Sequence, residues 1–298
     1  MHPYPSLLAA AVTAAVAAIA GADARLIVIL AMAMLFLQFG IGAANDWADA
    51  PADAIAQPAK PVPAGLIQRP TAARIAVGAA AGGLILAAGA GSGPFALAIA
   101  GLMTGLVYDL RLKSTRWSPL PYAVGIPLLP VFAWVGATGS LPAAFAVLVP
   151  IATLAGASLA VANAVADVEG DRSAGTETVA TSLGLGRARR IGAILAGLVV
   201  AAAFGSAVAS GGEVAWITLT AAGSAIVLGG LALGWSGRRS ARRHAWEIQA
   251  VGMSIIAAGW LGALAAAGLP AGREQAVPSA RSVAAPAHHA DRVLQAQL

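Results

Sequence analysis

Five of the eight aspartates, Asp46, Asp49, Asp53, Asp167 and Asp171, fall in two short segments that share one spacing. Asn45-x3-Asp49-x3-Asp53 returns as Asn163-x3-Asp167-x3-Asp171, each position lying 118 residues after its counterpart (163 against 45). A step of four residues advances a helix by about 40° beyond a full turn, so each trio lines one helical face. Like charges at that spacing repel by a few tenths of a kcal/mol, and something cationic should sit between them. Hard oxygen donors, in a chain without cysteine and with no histidine in either segment, suit Mg2+. That ion is held by a few carboxylates together with substrate phosphates rather than enclosed by protein. Two facing trios could clamp a diphosphate through shared metals.

Bases stand close to these acids in sequence. Lys60 follows the first trio, Arg111 and Lys113 come just after Tyr108, and Arg172 abuts Asp171. Ammonium and guanidinium groups supply the charge-assisted bonds that diphosphate oxygens not taken by metal require. Arg238, Arg239, Arg242 and Arg243 lie far from both trios along the chain and read as a topology signal.

The elements that must position these groups follow from composition. Of 298 residues, 59% are hydrophobic and 10% charged, with mean hydropathy +0.79, which excludes an ordinary water-soluble enzyme. The net charge of +5 matters less than where the bases fall, and no nucleic-acid-binding surface is expected. The absence of cysteine excludes disulfides, thiolate nucleophiles and Cys-bound zinc. A helix needs about 20 apolar residues to cross a bilayer. Nine such stretches are found, near 5–22, 25–45, 72–91, 94–112, 119–139, 142–165, 190–210, 214–235 and 246–268.

Most of the 18 lysines and arginines fall in the connections after the second, fourth, sixth and eighth stretches. By the positive-inside rule these loops, the N-terminus and both acid segments are cytoplasmic. Gly78-x3-Gly82 and Gly101-x3-Gly105 predict close helix approach, and Trp117, Trp134, Trp216, Trp235, Trp246 and Trp260 an interfacial belt. Ala22-Asp23-Ala24 has the form of a signal-peptidase site, but no basic residue precedes it. Residues 269–298, rich in Pro, Ala and Ser and including His288 and His289, read as a disordered tail after a domain spanning 1–268.

These segments resemble the UbiA superfamily of intramembrane prenyltransferases. Asn45-Asp46-Trp47-Ala48-Asp49-Ala50-Pro51-Ala52-Asp53 is similar to its NDxxDxxxD signature, and Lys60-Pro61-Val62-Pro63-Ala64-Gly65 to the turn that follows. Asp167-Val168-Glu169-Gly170-Asp171 is similar to its DxxxD signature, and Gly175 to Gly184 to the next segment. The first motif is closest in wording to the chlorophyll-synthase and tocopherol branch. The resemblance implies that Asp49, Asp53, Asp167 and Asp171 are the catalytic residues and hold Mg2+ on a prenyl diphosphate. Asn45, Asn163, Lys60, Tyr108, Arg111, Lys113 and Arg172 would bind substrate. One departure concerns a tyrosine and lysine that the family places four apart: here Leu112 takes the lysine position, flanked by Arg111 and Lys113. In an α-helix these two point roughly 160° apart, so one should dominate, and the wording favours Lys113 although Arg111 shares the face of Tyr108.

The expected protein is therefore an all-α membrane enzyme, a bundle of about nine spans around a lipid-accessible cavity. It would transfer a polyprenyl group to a small acceptor, aromatic or otherwise electron-rich, and release diphosphate. Asp46 and Asp109 are open candidates for the base. A membrane terpene cyclase on the same scaffold, which quenches the cation internally, is the alternative. A transporter is disfavoured because the acids sit at span ends rather than mid-membrane.

Overall fold

The computed structural model describes residues 3–268, so the expected tail with His288 and His289 lies outside the described residues. The described chain is helical: α1 (Pro3–Ile19), α2 (Ala24–Ala56), α3 (Arg69–Gly89), α4 (Ser92–Val107), a π-helical turn (Tyr108–Leu112), α5 (Pro119–Thr138), α6 (Phe145–Ser173), α7 (Val179–Leu183), α8 (Leu185–Ala209), α9 (Val214–Gly234) and α10 (Arg239–Ala266). Among the described residues eight helices are long and apolar enough to cross a membrane, α4 counted with its π turn. The first stretch, expected near 5–22, forms α1, whose 17 residues span roughly 26 Å at about 1.5 Å each, at the short end of what a bilayer core of about 30 Å takes. The protein is a multi-pass integral membrane protein.

Hydropathy marks where hydrocarbon ends, not where a helix ends. The second and sixth stretches were expected to stop near residues 45 and 165, yet α2 runs to Ala56 and α6 to Ser173. Each extension carries one acid trio, which is thereby fixed on a regular helix instead of a loop. At the other end of α2, Asp23 is the N-cap and its carboxylate accepts from the Leu26 N–H at 2.8 Å. Capping accounts for that aspartate in the Ala22-Asp23-Ala24 string.

The most extensive pairings are α9 with α10 and α2 with α3, while α5 packs on α6 and α4 and touches α2. The two trio-bearing helices are thus joined through α5. One core gathers Val16, Trp134, Phe145, Leu159, Val199, Val227 and Trp260 from six helices. A second joins Leu30 and Leu37 of α2 to Ala87, Ala98 and Phe132. Trp134 and Trp260 therefore leave the expected interfacial belt, being 5% and 3% exposed, whereas Trp117 and Trp235 are half exposed. The glycine motifs divide similarly. Gly78 and Gly101 face open space, and the tight approaches are at Gly105 against Ile41, Gly83 against Leu37, and Gly40 against the backbone of α3. The four-residue spacing alone could not identify which face of α3 or α4 meets α2.

Candidate active site

The first trio occupies the outer turns of α2, and two lysines from different elements reach it. Lys113 donates to Asn45 Oδ1 at 2.6 Å and also to Asp49 Oδ1. Lys60 donates to Asp53 Oδ2 at 2.8 Å. Asp46 and Asp53 are buried, each 6% exposed. Arg69, opening α3, braces the segment from outside: its Nε donates to the Trp47 carbonyl at 3.0 Å, and its guanidinium lies 5.1 Å from the centre of the Trp47 ring. The loop that delivers Lys60 is closed by backbone bonds from Ala64 N–H to Lys60 O (2.9 Å) and from Ile67 N–H to Pro61 O (3.1 Å). Gly65 supplies the left-handed φ of 75° that this turn needs.

The π turn explains how Lys113 arrives there. Its N–H bonds the Tyr108 carbonyl five residues back, at 2.9 Å, where an α-helix would bond four back. One extra residue is absorbed in the turn, so Lys113 takes the place that a residue four after Tyr108 would otherwise hold. Arg111 is left exposed, with no ion pair or hydrogen bond of its side chain among the described residues. Regular α geometry gave the opposite expectation, that Arg111 shares the Tyr108 face. Tyr108 packs edge-on against Tyr122 of α5, ring centres 5.2 Å apart. Asp109 beside it is buried, and its Oδ2 has no protein partner.

The second trio repeats this plan with different chemistry. Thr178 donates its hydroxyl to Asp171 Oδ2 at 3.0 Å and also caps α7. It stands seven residues after Asp171, as Lys60 stands seven after Asp53. The 118-residue offset thus extends to this pair (178 against 60). Arg239, at the start of α10, reaches Asp167 Oδ1 at 3.5 Å, and Arg242 grips both carboxylate oxygens of Glu169. The Arg238–Arg243 cluster is therefore not only a topology signal: α10 carries two of its members back to α6. Distance along the chain concealed this, although the offset could have revealed Thr178. Asn163 is half-buried on α6, and Arg172 is exposed without a side-chain partner among the described residues.

Among the described residues no three acidic or histidine side chains converge closely enough to hold a metal by themselves. A divalent ion would take one or two carboxylates and complete its shell with other oxygens, the arrangement Mg2+ prefers. The donor set fits: carboxylates that already attract ammonium groups, with no sulfur ligand present.

The model of the UbiA prenyltransferase family matches residues 6–256. The chain belongs to that family. Among UbiA relatives, the chloroplast chlorophyll synthase of Arabidopsis thaliana is 31% identical over 159 residues, covering 49% of this chain and 41% of the relative. Digeranylgeranylglyceryl phosphate synthase of Thermococcus kodakarensis is 30% identical over 186 residues, covering 57% and 63%. The chain thus matches less than two thirds of the length of these curated relatives. The apo structure of a UbiA homologue from Aeropyrum pernix K1 superposes with a TM-score of 0.73 at 18% identity, covering 87% of this chain and 98% of that one. A UbiA homologue from Archaeoglobus fulgidus bound to GPP and Mg2+ gives a TM-score of 0.60 at 18% identity, covering 87% and 99%. At such identities the structural likeness speaks for the UbiA fold alone.

Proposed function

We propose that this chain transfers a prenyl group from a prenyl diphosphate to an electron-rich acceptor, with Mg2+ as its cofactor. The observation that carries the reading is the pair of Asn-x3-Asp-x3-Asp faces, one on α2 and one on α6, each with cationic or hydroxyl partners delivered from other elements. Asp49 and Asp53 would hold the ion on one side and Asp167 and Asp171 on the other. When bound, the metal would supply Lewis-acid neutralisation of the diphosphate oxygens. Lys113 and Lys60 would then exchange their carboxylates for those oxygens, taking up charge as the leaving group departs. Asn45 and Asn163 would orient it. In the transfer the allylic C–O bond breaks and its electron pair leaves with the diphosphate. The cationic carbon is captured by the acceptor, which, if aromatic, loses a ring proton. An apolar surrounding within the bundle would keep water from the cation. The A. fulgidus structure holding GPP and Mg2+ supports the donor class, and the curated relatives are synthases of two different names, a chlorophyll synthase and a digeranylgeranylglyceryl phosphate synthase.

Purified protein supplied with several prenyl diphosphates, each with and without candidate aromatic and lipid acceptors, tests this through product masses. The expected product is the acceptor plus the prenyl group minus a proton. A hydrocarbon or prenyl alcohol of cyclised form, made without acceptor, would instead indicate a terpene cyclase, and no consumption of any prenyl diphosphate would reject both.

The same reading places the mouth of the site in the cytoplasm. A cysteine introduced at Ala59, exposed in the loop that carries Lys60, should react with an impermeant maleimide only after the cytoplasmic side is opened. The parent has no cysteine, so the label reports one position. Reaction from outside intact cells would invert the orientation.

A further inference from the structure

The turn from α9 to α10 is tied down by two arginines. Arg189 of α8 donates from Nη2 to the Ser236 carbonyl at 2.8 Å, with its guanidinium 5.9 Å from the centre of the Trp235 ring. Arg242 of α10 donates from Nη1 to the Gly237 carbonyl at 2.9 Å, and its Nη2 contacts both oxygens of Glu169. The Arg242 side chain is 2% exposed. An arginine serving only to orient the protein in the membrane needs water, not burial. Withdrawing a guanidinium from water is costly unless it is paired and hydrogen-bonded, so this one calls for a structural task.

Glu169 indicates the task. It lies between Asp167 and Asp171 in the last turns of α6, two residues from each and so roughly 160° around the helix from either. Arg242 holds that side while Arg239, three residues earlier on α10, reaches Asp167. One neighbouring helix thus grips the end of α6 at Glu169 and meets it again, in an exposed pair, at Asp167.

We propose that Arg242 is a positioning residue for the second acid trio: through Glu169 it fixes the end of α6 so that Asp167 and Asp171 are set before any ligand arrives. The proposal rests on the reading of those two aspartates as metal and diphosphate ligands. Groups that orient metal ligands change affinity by about 10- to 100-fold when removed.

Two measurements on the full chain in detergent test it: metal-free amide hydrogen exchange across residues 165–175, and Mn2+ binding followed by electron paramagnetic resonance in the presence of inorganic diphosphate. Arg242→Gln should accelerate exchange in that segment alone and weaken Mn2+ binding by about 10- to 100-fold. Glu169→Gln, which removes the charge but keeps an acceptor, should do both to a smaller degree. Arg242→Lys should recover part of each. Parent exchange and parent Mn2+ affinity in Arg242→Gln would overturn the proposal, as would acceleration spread over the whole bundle. Asp167→Ala separates the two levels: if it binds Mn2+ like the parent, the reading of the site fails, and if it loses Mn2+ while Arg242→Gln does not, only the positioning role fails.

Discussion

Asp49→Ala and Asp167→Ala should each abolish prenyl transfer, and EDTA should abolish it in the parent. Neither trio alone offers enough oxygen ligands to neutralise a departing diphosphate, so loss of one ligand on either side should be felt in full. Metal-ion stabilisation of developing charge is worth several kcal/mol, and about 4 kcal/mol corresponds to roughly a thousandfold in rate. The variants should remain folded. Asp49 is partly exposed and its partner Lys113 is 23% exposed, so the ammonium freed by Asp49→Ala retains water. Asp167, 59% exposed, has only Arg239 at 3.5 Å among the described residues, itself 62% exposed, and pairs of that kind contribute about 0–1 kcal/mol. Steady-state turnover of a prenyl diphosphate with melting temperature as a control decides the matter. Parent-like rates in either variant, or in excess EDTA, would sink the two-sided metal clamp.

How much of this was legible depended on range along the chain. The trios were readable because helical spacing is local, and their 118-residue offset marked them as two copies of one device. The bundle was readable because long apolar runs admit few other outcomes. Helix ends beyond the hydrocarbon were not, since Asp49, Asp53, Asp167 and Asp171 are held on α2 and α6 by partners that hydropathy cannot register. Lys60 and Thr178 lie seven residues from the acids they serve. Only Lys60 was singled out, because a lysine announces charge and a threonine does not. Arg239 and Arg242 follow α6 only after three further helices in the chain, and nothing in their local sequence separates an arginine that marks the cytoplasmic face from one buried against Glu169. The tryptophans failed for a related reason: Trp134 and Trp260 have the composition of a belt and the packing of a core.

Lys113→Ala should raise the apparent KM for prenyl diphosphate by about 10- to 150-fold, the equivalent of one charge-assisted bond of about 1.5–3 kcal/mol, while Arg111→Ala should change it less than threefold. The asymmetry comes from the π turn. Two arguments from sequence pointed in opposite directions, since regular helical geometry put Arg111 on the face of Tyr108 and family wording favoured Lys113. The bond from Lys113 N–H to the Tyr108 carbonyl favours the second, because a turn with one residue more than an α turn brings Lys113 around to Asn45 and Asp49 and leaves Arg111 exposed. Single π turns of this kind recur at functional sites, where they re-aim a side chain without breaking the helix. Deleting Leu112 should let an ordinary α turn form with the lysine four residues after Tyr108, and should keep KM within a few-fold of the parent. Kinetics of the three variants distinguish the possibilities. A larger effect from Arg111→Ala than from Lys113→Ala would reverse the assignment, and a Leu112 deletion as impaired as Lys113→Ala would mean that the extra residue does more than restore register.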